Sequence, residues 1–209
     1  MRGEYVDGRD AKWERDDPRF RVLIFRGPDN AVTAMDIVDA TIEEALESAR
    51  ALSNGHEHLW ALALVDDLSR RERGLIWLSG MDYTRTPVTA RDRQLRRQMQ
   101  DRYLSARVRD GMPPVLPNGL RLIRVFPEWV HGWPLWENGT GEYHLDAGSL
   151  DISPELGSAL FDWNDEWQDR EYDQPLTDPD GWRRRGIALA DRLQRELEGI
   201  AEVRPEFLW

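Results

Sequence analysis

No cysteine occurs among the 209 residues. Disulfides, thiolate zinc sites and cysteine nucleophiles are excluded with it, and a thiol-free chain fits a reducing compartment. Lysine is nearly missing too: Lys12 stands alone against 27 arginines. A bias of that size reads as the codon usage of a GC-rich genome, such as that of an actinobacterium or one of its phages. Selection for planar bidentate donors explains individual arginines better than a chain-wide excess. Long apolar runs are absent as well. Met1 to Phe20 is charged and polar, so neither a signal peptide nor a membrane span is expected there. Without a secretion signal, Asn138-Gly139-Thr140 reads as a turn rather than a glycosylation site. No G-x-x-x-x-G-K-[ST] or G-x-G-x-x-G sequence appears, and Gly139-Thr140-Gly141 is too short to replace one. Leu78-Ser79-Gly80 lacks the leading half of a nucleophile elbow. No catalytic residue and no cofactor is therefore assigned.

What the chain does have is acid, and nearly all the excess lies in one place. The formal net charge is −11. Residues 131 to 180 hold thirteen acids and one base, Arg170, while the rest of the chain is almost balanced. A field concentrated in this way steers a cationic partner and holds off nucleic acid and anionic membranes. With 40% apolar residues and ten tryptophans, the chain can bury a substantial core.

Residues 1–20 read as a polar arm with Trp13 as an anchor. Arg21 to Arg26 and Ala31 to Val38 read as a hairpin around Gly27-Pro28-Asp29-Asn30. Thr41-Ile42-Glu43-Glu44 is a capping box opening a helix that carries Ile42, Ala45, Leu46, Ala49 and Leu52 on one face and ends near Asn54-Gly55. Leu59 to Val65 and Leu75 to Leu78 suggest a second hairpin. A polar helix follows from Thr89 to Arg109, and Pro113, Pro114 and Pro117 then break the chain. Past the break come a strand (Leu120 to Phe126), a Trp- and Gly-rich loop (Trp129 to Ser149) and a helix opened by Ser153-Pro154-Glu155. A last helix (Gly181 to Glu198) stacks Ile187, Leu189, Leu193 and Leu197, and Val203 to Trp209 reads as a closing strand. The expected fold is α+β: about six strands in a mostly antiparallel or mixed sheet with four helices. It divides into an arm (1–20), a module at 21–112 and a second module at 118–209.

One stretch carries a resemblance. It runs from a strand into Pro134-Leu135-Trp136, through Leu150-x-Ile152-Ser153-Pro154-Glu155-Leu156 and Leu160-x-x-Trp163-x-x-Glu166-Trp167, to Gly186-x-x-Leu189-Ala190-x-x-Leu193-x-x-Glu196-Leu197. This pattern, over about 120–203, resembles a group of small uncharacterised actinobacterial proteins. The resemblance implies a separable bacterial module and no activity.

Four constellations remain to be weighed. His56-x-His58 could chelate a metal from a strand, but it follows a helix end, where histidine commonly meets the last carbonyls. His131 and His144 flank the Trp-rich loop with the same weakness. Asp36, Asp39, Asp66, Asp67 and Asp82 near strand ends could serve as acids, bases or magnesium ligands, or simply as turn residues. The helix from Arg85 to Asp110 carries a net positive face. It suits phosphates, a solvated surface, or docking on the protein's own acidic half. The thin apolar stripe of Leu95, Met99, Tyr103 and Ala106 makes it peripheral.

The fourth constellation interleaves Trp129, Trp133, Trp136, Tyr143, Phe161, Trp163, Trp167 and Tyr172 with the acids. Aromatic anchors among carboxylates suit an arginine- or lysine-rich ligand. Trp163 and Trp167 fit the core face of their helix, whereas Trp133 and Trp136 sit beside Gly132 and Pro134 in a loop. The expected binding residues are Trp133, Trp136, Asp162, Asp165, Glu166 and Asp169. The expected protein is a cytoplasmic bacterial or phage protein that neutralises a basic effector or a host nucleic-acid-handling protein. It would act as an immunity protein or inhibitor, with DNA mimicry as a special case, and without membrane or direct nucleic-acid binding. Two other classes compete with it. One is a small metal- or carboxylate-dependent enzyme using His56, His58 and Asp82. The other is a homo-oligomer in which the arginine helix of one copy meets the acidic segment of another.

Overall fold

The β1 strand (Phe20–Arg26) and the β2 strand (Ala31–Ile37) form the first hairpin, and Gly27 and Asn30 take the positive φ its tight loop requires. The structure is a computed structural model describing residues 3–11, 14, 16–66, 73–108, 113–129, 132–138, 143–171 and 174–207. Expectations placed on Trp13, Asp67, Arg109, Asp110, His131, Gly139-Thr140-Gly141, Tyr172 and Trp209 lie outside the described residues. Phe20, Val22 and Ile24 alternate along β1 with Leu23 and Phe25, and all five are buried, so both faces of this sheet are covered. The α1 helix (Ile42–Leu52) covers one face with Ala45 and Ala49. Its expected capping box is present: Thr41 Oγ1 accepts from Glu44 N–H while the Glu44 carboxylate accepts from Thr41 N–H. The β3 strand (Leu59–Asp66) pairs with β1, and the β4 strand (Gly74–Ser79) pairs with β3, giving the antiparallel order β2-β1-β3-β4.

The α2 helix (Ala90–Ser105) covers the other face. It is not peripheral, contrary to its thin apolar stripe. Leu95, Met99, Tyr103 and Leu104 are buried against Leu23, Phe25, Leu59 and Ala61, and Gln100 is buried beside them. Of the arginines that hide this burial in the sequence, Arg96 reaches Glu202 and the Tyr83 carbonyl, and Arg102 reaches Ser79 and the Trp60 carbonyl.

The second sheet is mixed. It comprises β5 (Arg121–Val125), β6 (Leu135–Trp136), β7 (His144–Leu145) and β8 (Ala201–Pro205) in the order β7-β6-β5-β8, with β5 and β8 parallel. A parallel pair needs a long crossover, and here it includes the α3 helix (Pro154–Gln168) and the α4 helix (Pro179–Glu196). The fold is thus α+β, with four helices and two four-stranded sheets among the described residues. Two expectations are corrected. The segment 129–149 is not all loop, because β6 and β7 lie in it; their two-residue length gives no readable alternation. The closing strand begins at Ala201 and ends at Pro205 rather than running from Val203 to Trp209.

Where α2 meets β8, the contact is ionic and partly buried. Glu206 accepts from Arg124 at 2.6 Å and from Arg204 at 2.8 Å, with Arg97 3.4 Å away. Arg96 reaches Glu202 at 3.3 Å, Gln100 donates to the same carboxylate at 2.6 Å, and Arg204 bridges to Asp101 at 2.9 Å. The arginine helix therefore docks on the C-terminal half, but on acids outside the 131–180 window.

Candidate partner-binding surface on the third helix

Leu156, Leu160, Trp163 and Asn164 form the buried face of α3, spaced as a 3.6-residue period demands. Ser153 caps its start and also binds Glu196 of α4 through its backbone N–H and hydroxyl, both at 2.8 Å; Arg192 donates to the same Glu196 carboxylate. The Ser153 N–H, with smaller help from the Ser153 hydroxyl and Arg192, holds the Glu196 carboxyl below the usual range. Further along, Trp163 and Trp182 stack at 4.3 Å, and each indole N–H donates to the other's carbonyl. Gly186 makes that approach feasible, since a Cβ there would lie 2.6 Å from the Trp163 ring. The inner face of α3 is thus pinned along its length, which fixes the direction its outer face points.

That outer face holds Phe161, Asp162, Asp165, Glu166 and Asp169, all exposed. Asp162, Asp165 and Asp169 make no ion pair among the described residues, whereas Glu166 pairs with Arg185 of α4. The window's one base does not neutralise this stripe. The Arg170 guanidinium lies between Trp167 at 3.8 Å and Trp129 at 4.5 Å and donates to the Gln174 carbonyl. The loop bearing Trp129 is fastened to α3: Asn164 accepts from Glu128 N–H, and Gln168 donates to the Glu128 carbonyl at 2.7 Å.

Trp133 and Trp136, the aromatics singled out by sequence, are half-buried. Trp133 packs on the second-sheet core and meets Phe161 edge-on at 5.5 Å. Trp136 stacks on Phe126 at 4.7 Å and donates its N–H to the Phe126 carbonyl. The more accessible rings of this half are Trp129, Tyr143 and Phe161, at 36%, 60% and 39% exposure. Gly132 lets the Phe161 ring lie against its loop, because a Cβ would sit 2.4 Å from that ring. Phe161 follows Leu160 on α3, and its helical phase, one step off the buried face, was the signal available to mark it as an outward aromatic.

Three of the remaining candidates, His56, Asp82 and Asp36, are engaged in the fold. His56 lies in a turn with φ of 74°, and its Nδ1 accepts from the Trp60 indole at 2.9 Å. Burial, with Arg102 and Arg50 nearby, pushes its pKa down. Asp82 accepts from the Thr84 N–H and hydroxyl, as a turn residue does. Asp36 pairs with Arg21. Among the described residues no group of three or more His, Cys, Asp or Glu is placed to hold a metal ion, and no helix is long and apolar enough to cross a membrane. A groove of about 1050 Å³ runs between the start of α2 and β8, but its floor is the paired Arg96–Glu202 and Arg204–Glu206 network. Tyr83 in its wall is pushed up to about 12, chiefly by burial, and is a weak acid there.

Comparison with the curated proteins and with the solved structures finds no match. The region carrying β5, α3, α4 and β8, residues 121–204, matches a family described as Serratia CdiI immunity protein-like.

Proposed function

We infer that this chain is an immunity-type protein that neutralises a protein toxin by binding it, and that the toxin presents a cationic surface. The observation that carries the reading is the family match over residues 121–204, the region that contains the exposed acidic stripe of α3. Three features support the finer part. Asp162, Asp165 and Asp169 lie outward without ion-pair partners among the described residues, Glu166 borders them, and the rigid inner face of α3 holds them ready without reorganisation. Carboxylates so arranged raise the association rate with a basic partner, while a few aromatic anchors supply the lifetime of the complex. Phe161, backed by Trp133, and Trp129, backed by Trp167, are those anchors, with Trp136 stiffening the sheet behind them. The setting is the cytoplasm of a bacterium or phage host with a GC-rich, arginine-favouring genome.

The test is a pull-down from the native host with the intact protein and with a variant carrying Asp162→Asn, Asp165→Asn, Glu166→Gln and Asp169→Asn. A stoichiometric basic protein that is toxic when expressed alone, and is captured less well by the variant, is the expected result. A captured toxin indifferent to all four changes moves the contact away from α3. A captured partner that is not toxic ends the immunity reading.

A further inference from the structure

Arg170 is the one base among the thirteen acids of residues 131 to 180. Pairing with a carboxylate is the stronger contact for a guanidinium, yet among the described residues Arg170 makes no ion pair. It lies against two indoles instead, 3.8 Å from the Trp167 ring centre and 4.5 Å from that of Trp129. The two rings are 6.0 Å apart and tilted by 51°, so they form an open V with the guanidinium in its mouth. Both walls are anchored. Trp167 packs on the second-sheet core and meets Trp182 at 5.2 Å. The loop bearing Trp129 is held to α3 by Asn164 and Gln168 through Glu128. The occupant is held less firmly, by one hydrogen bond among the described residues, to the Gln174 carbonyl at 2.8 Å. Its Nε and the neighbouring Trp167 Nε1 are shielded from solvent and have no hydrogen-bond partner. A buried donor without an acceptor is destabilising, so the clamp is preformed while its occupant is imperfectly satisfied.

We propose that the V of Trp129 and Trp167 is a slot for an arginine side chain of the partner, and that Arg170 is a stand-in displaced by the incoming guanidinium. The partner's identity rests on the toxin reading above, whereas the slot stands on its own geometry. The seated side chain shows the chemistry the slot takes. A planar guanidinium stacks on an indole face better than the more strongly hydrated ammonium of lysine does. Access is open, since Trp129 is 36% exposed and Arg170 is only half-buried. The approach is acidic, because Asp165, Glu166 and Asp169, all exposed, lie within two residues of Trp167. The exchange is balanced: the entering arginine takes the indoles, and Arg170, just past the Asp169 cap, is released beside Asp169 and Glu171. A purely structural Arg170 has the opposite consequence, since its removal would loosen the Trp129 loop and weaken binding.

Calorimetric titration with hexa-arginine and hexa-lysine, in about 0.15 M salt to damp loose charge attraction, separates the slot from the field. The two peptides carry equal charge, so removing a base from the acidic window strengthens both alike, and only a vacated slot favours arginine. Arg170→Ala is expected to raise the preference for hexa-arginine over hexa-lysine about threefold or more relative to wild type. Trp129→Leu, added to Arg170→Ala, removes that gain. A second readout needs no variant: in the wild-type protein, hexa-arginine shifts the indole N–H resonances of Trp129 and Trp167 more than hexa-lysine does. An equal gain for both peptides, no gain, a preference that survives Trp129→Leu, or indole resonances that respond alike to both peptides overturns the proposal. No toxin takes part in these titrations, so their failure leaves the immunity reading standing, and a captured partner that is not toxic leaves the slot standing.

Discussion

The crossing of α3 and α4 depends on a few atoms. Trp163 and Trp182 each fill the other's carbonyl with an indole N–H in a buried site. Trp163→Phe keeps most of the ring volume but leaves the Trp182 carbonyl without its donor, so a loss of about 1–3 kcal/mol is expected, read as a lower urea midpoint with unchanged slope. Gly186→Ala works in the opposite sense, forcing a methyl against Trp163 and Phe207. Overpacking of that kind costs about 1–3 kcal/mol in the same assay. These residues hold the acidic stripe in place from the inner face of α3. Either change should therefore lower stability and leave the salt dependence of partner association as it was.

At the scale of the elements, α3 separates its two tasks by face. The four amide substitutions on its outer face remove charge from exposed positions, so stability should change by no more than about 0.5 kcal/mol in either direction. Asp169 caps the C-terminal end, where a negative charge opposes the helix dipole, and its loss should if anything raise the melting temperature. Differential scanning calorimetry checks both statements. The helix starts were legible in the sequence because capping is local: Thr41 and Ser153 each lie three residues from the backbone N–H that they cap. The acidic face of α3 was legible for the same reason, since helical period sorts Asp162, Asp165 and Asp169 away from Leu156, Leu160 and Trp163. What failed was whatever depends on distant partners. The central place of α2 rests on Arg96 and Gln100 finding Glu202, more than a hundred residues away. β6 and β7 owe their existence to the neighbours they pair with, and Trp182, absent from the expected aromatic surface and core, is buried by Trp163 and Phe207. Among the aromatics, sequence proximity to Gly132 and Pro134 favoured Trp133 and Trp136, whereas the ring contacts leave Phe161 and Trp129 more open.

At the scale of the whole molecule, the two sheets are joined by buried charge. Glu206 receives Arg124 and Arg204 and lies near Arg97, so one carboxylate connects β5, β8 and α2. Removing one member of such a group leaves the others unpaired, and Glu206→Ala is expected to cost about 3–5 kcal/mol in chemical denaturation. The surrounding arginines hold the Glu206 carboxyl below its ordinary value although burial opposes them. Its unfolded-state counterpart binds a proton first as pH falls. The stabilisation is therefore complete above about pH 5 and is lost as pH drops through and below the ordinary carboxylate range. Asp36 and Glu196 shift in the same direction, so urea midpoints should be flat near neutrality and fall on acidification, less steeply in Glu206→Gln. Neutral and basic surroundings thus suit the fold, and the exposed acids of α3 take no part in this network.

Stopped-flow association of the captured partner at several ionic strengths shows whether the α3 stripe steers a cationic toxin, as proposed. Wild-type protein should associate rapidly at low salt and slow steeply as salt rises. The fourfold amide variant should associate about tenfold or more slowly at low salt, with a shallow salt slope. Equal rates and equal slopes for the two proteins would rule the steering role out.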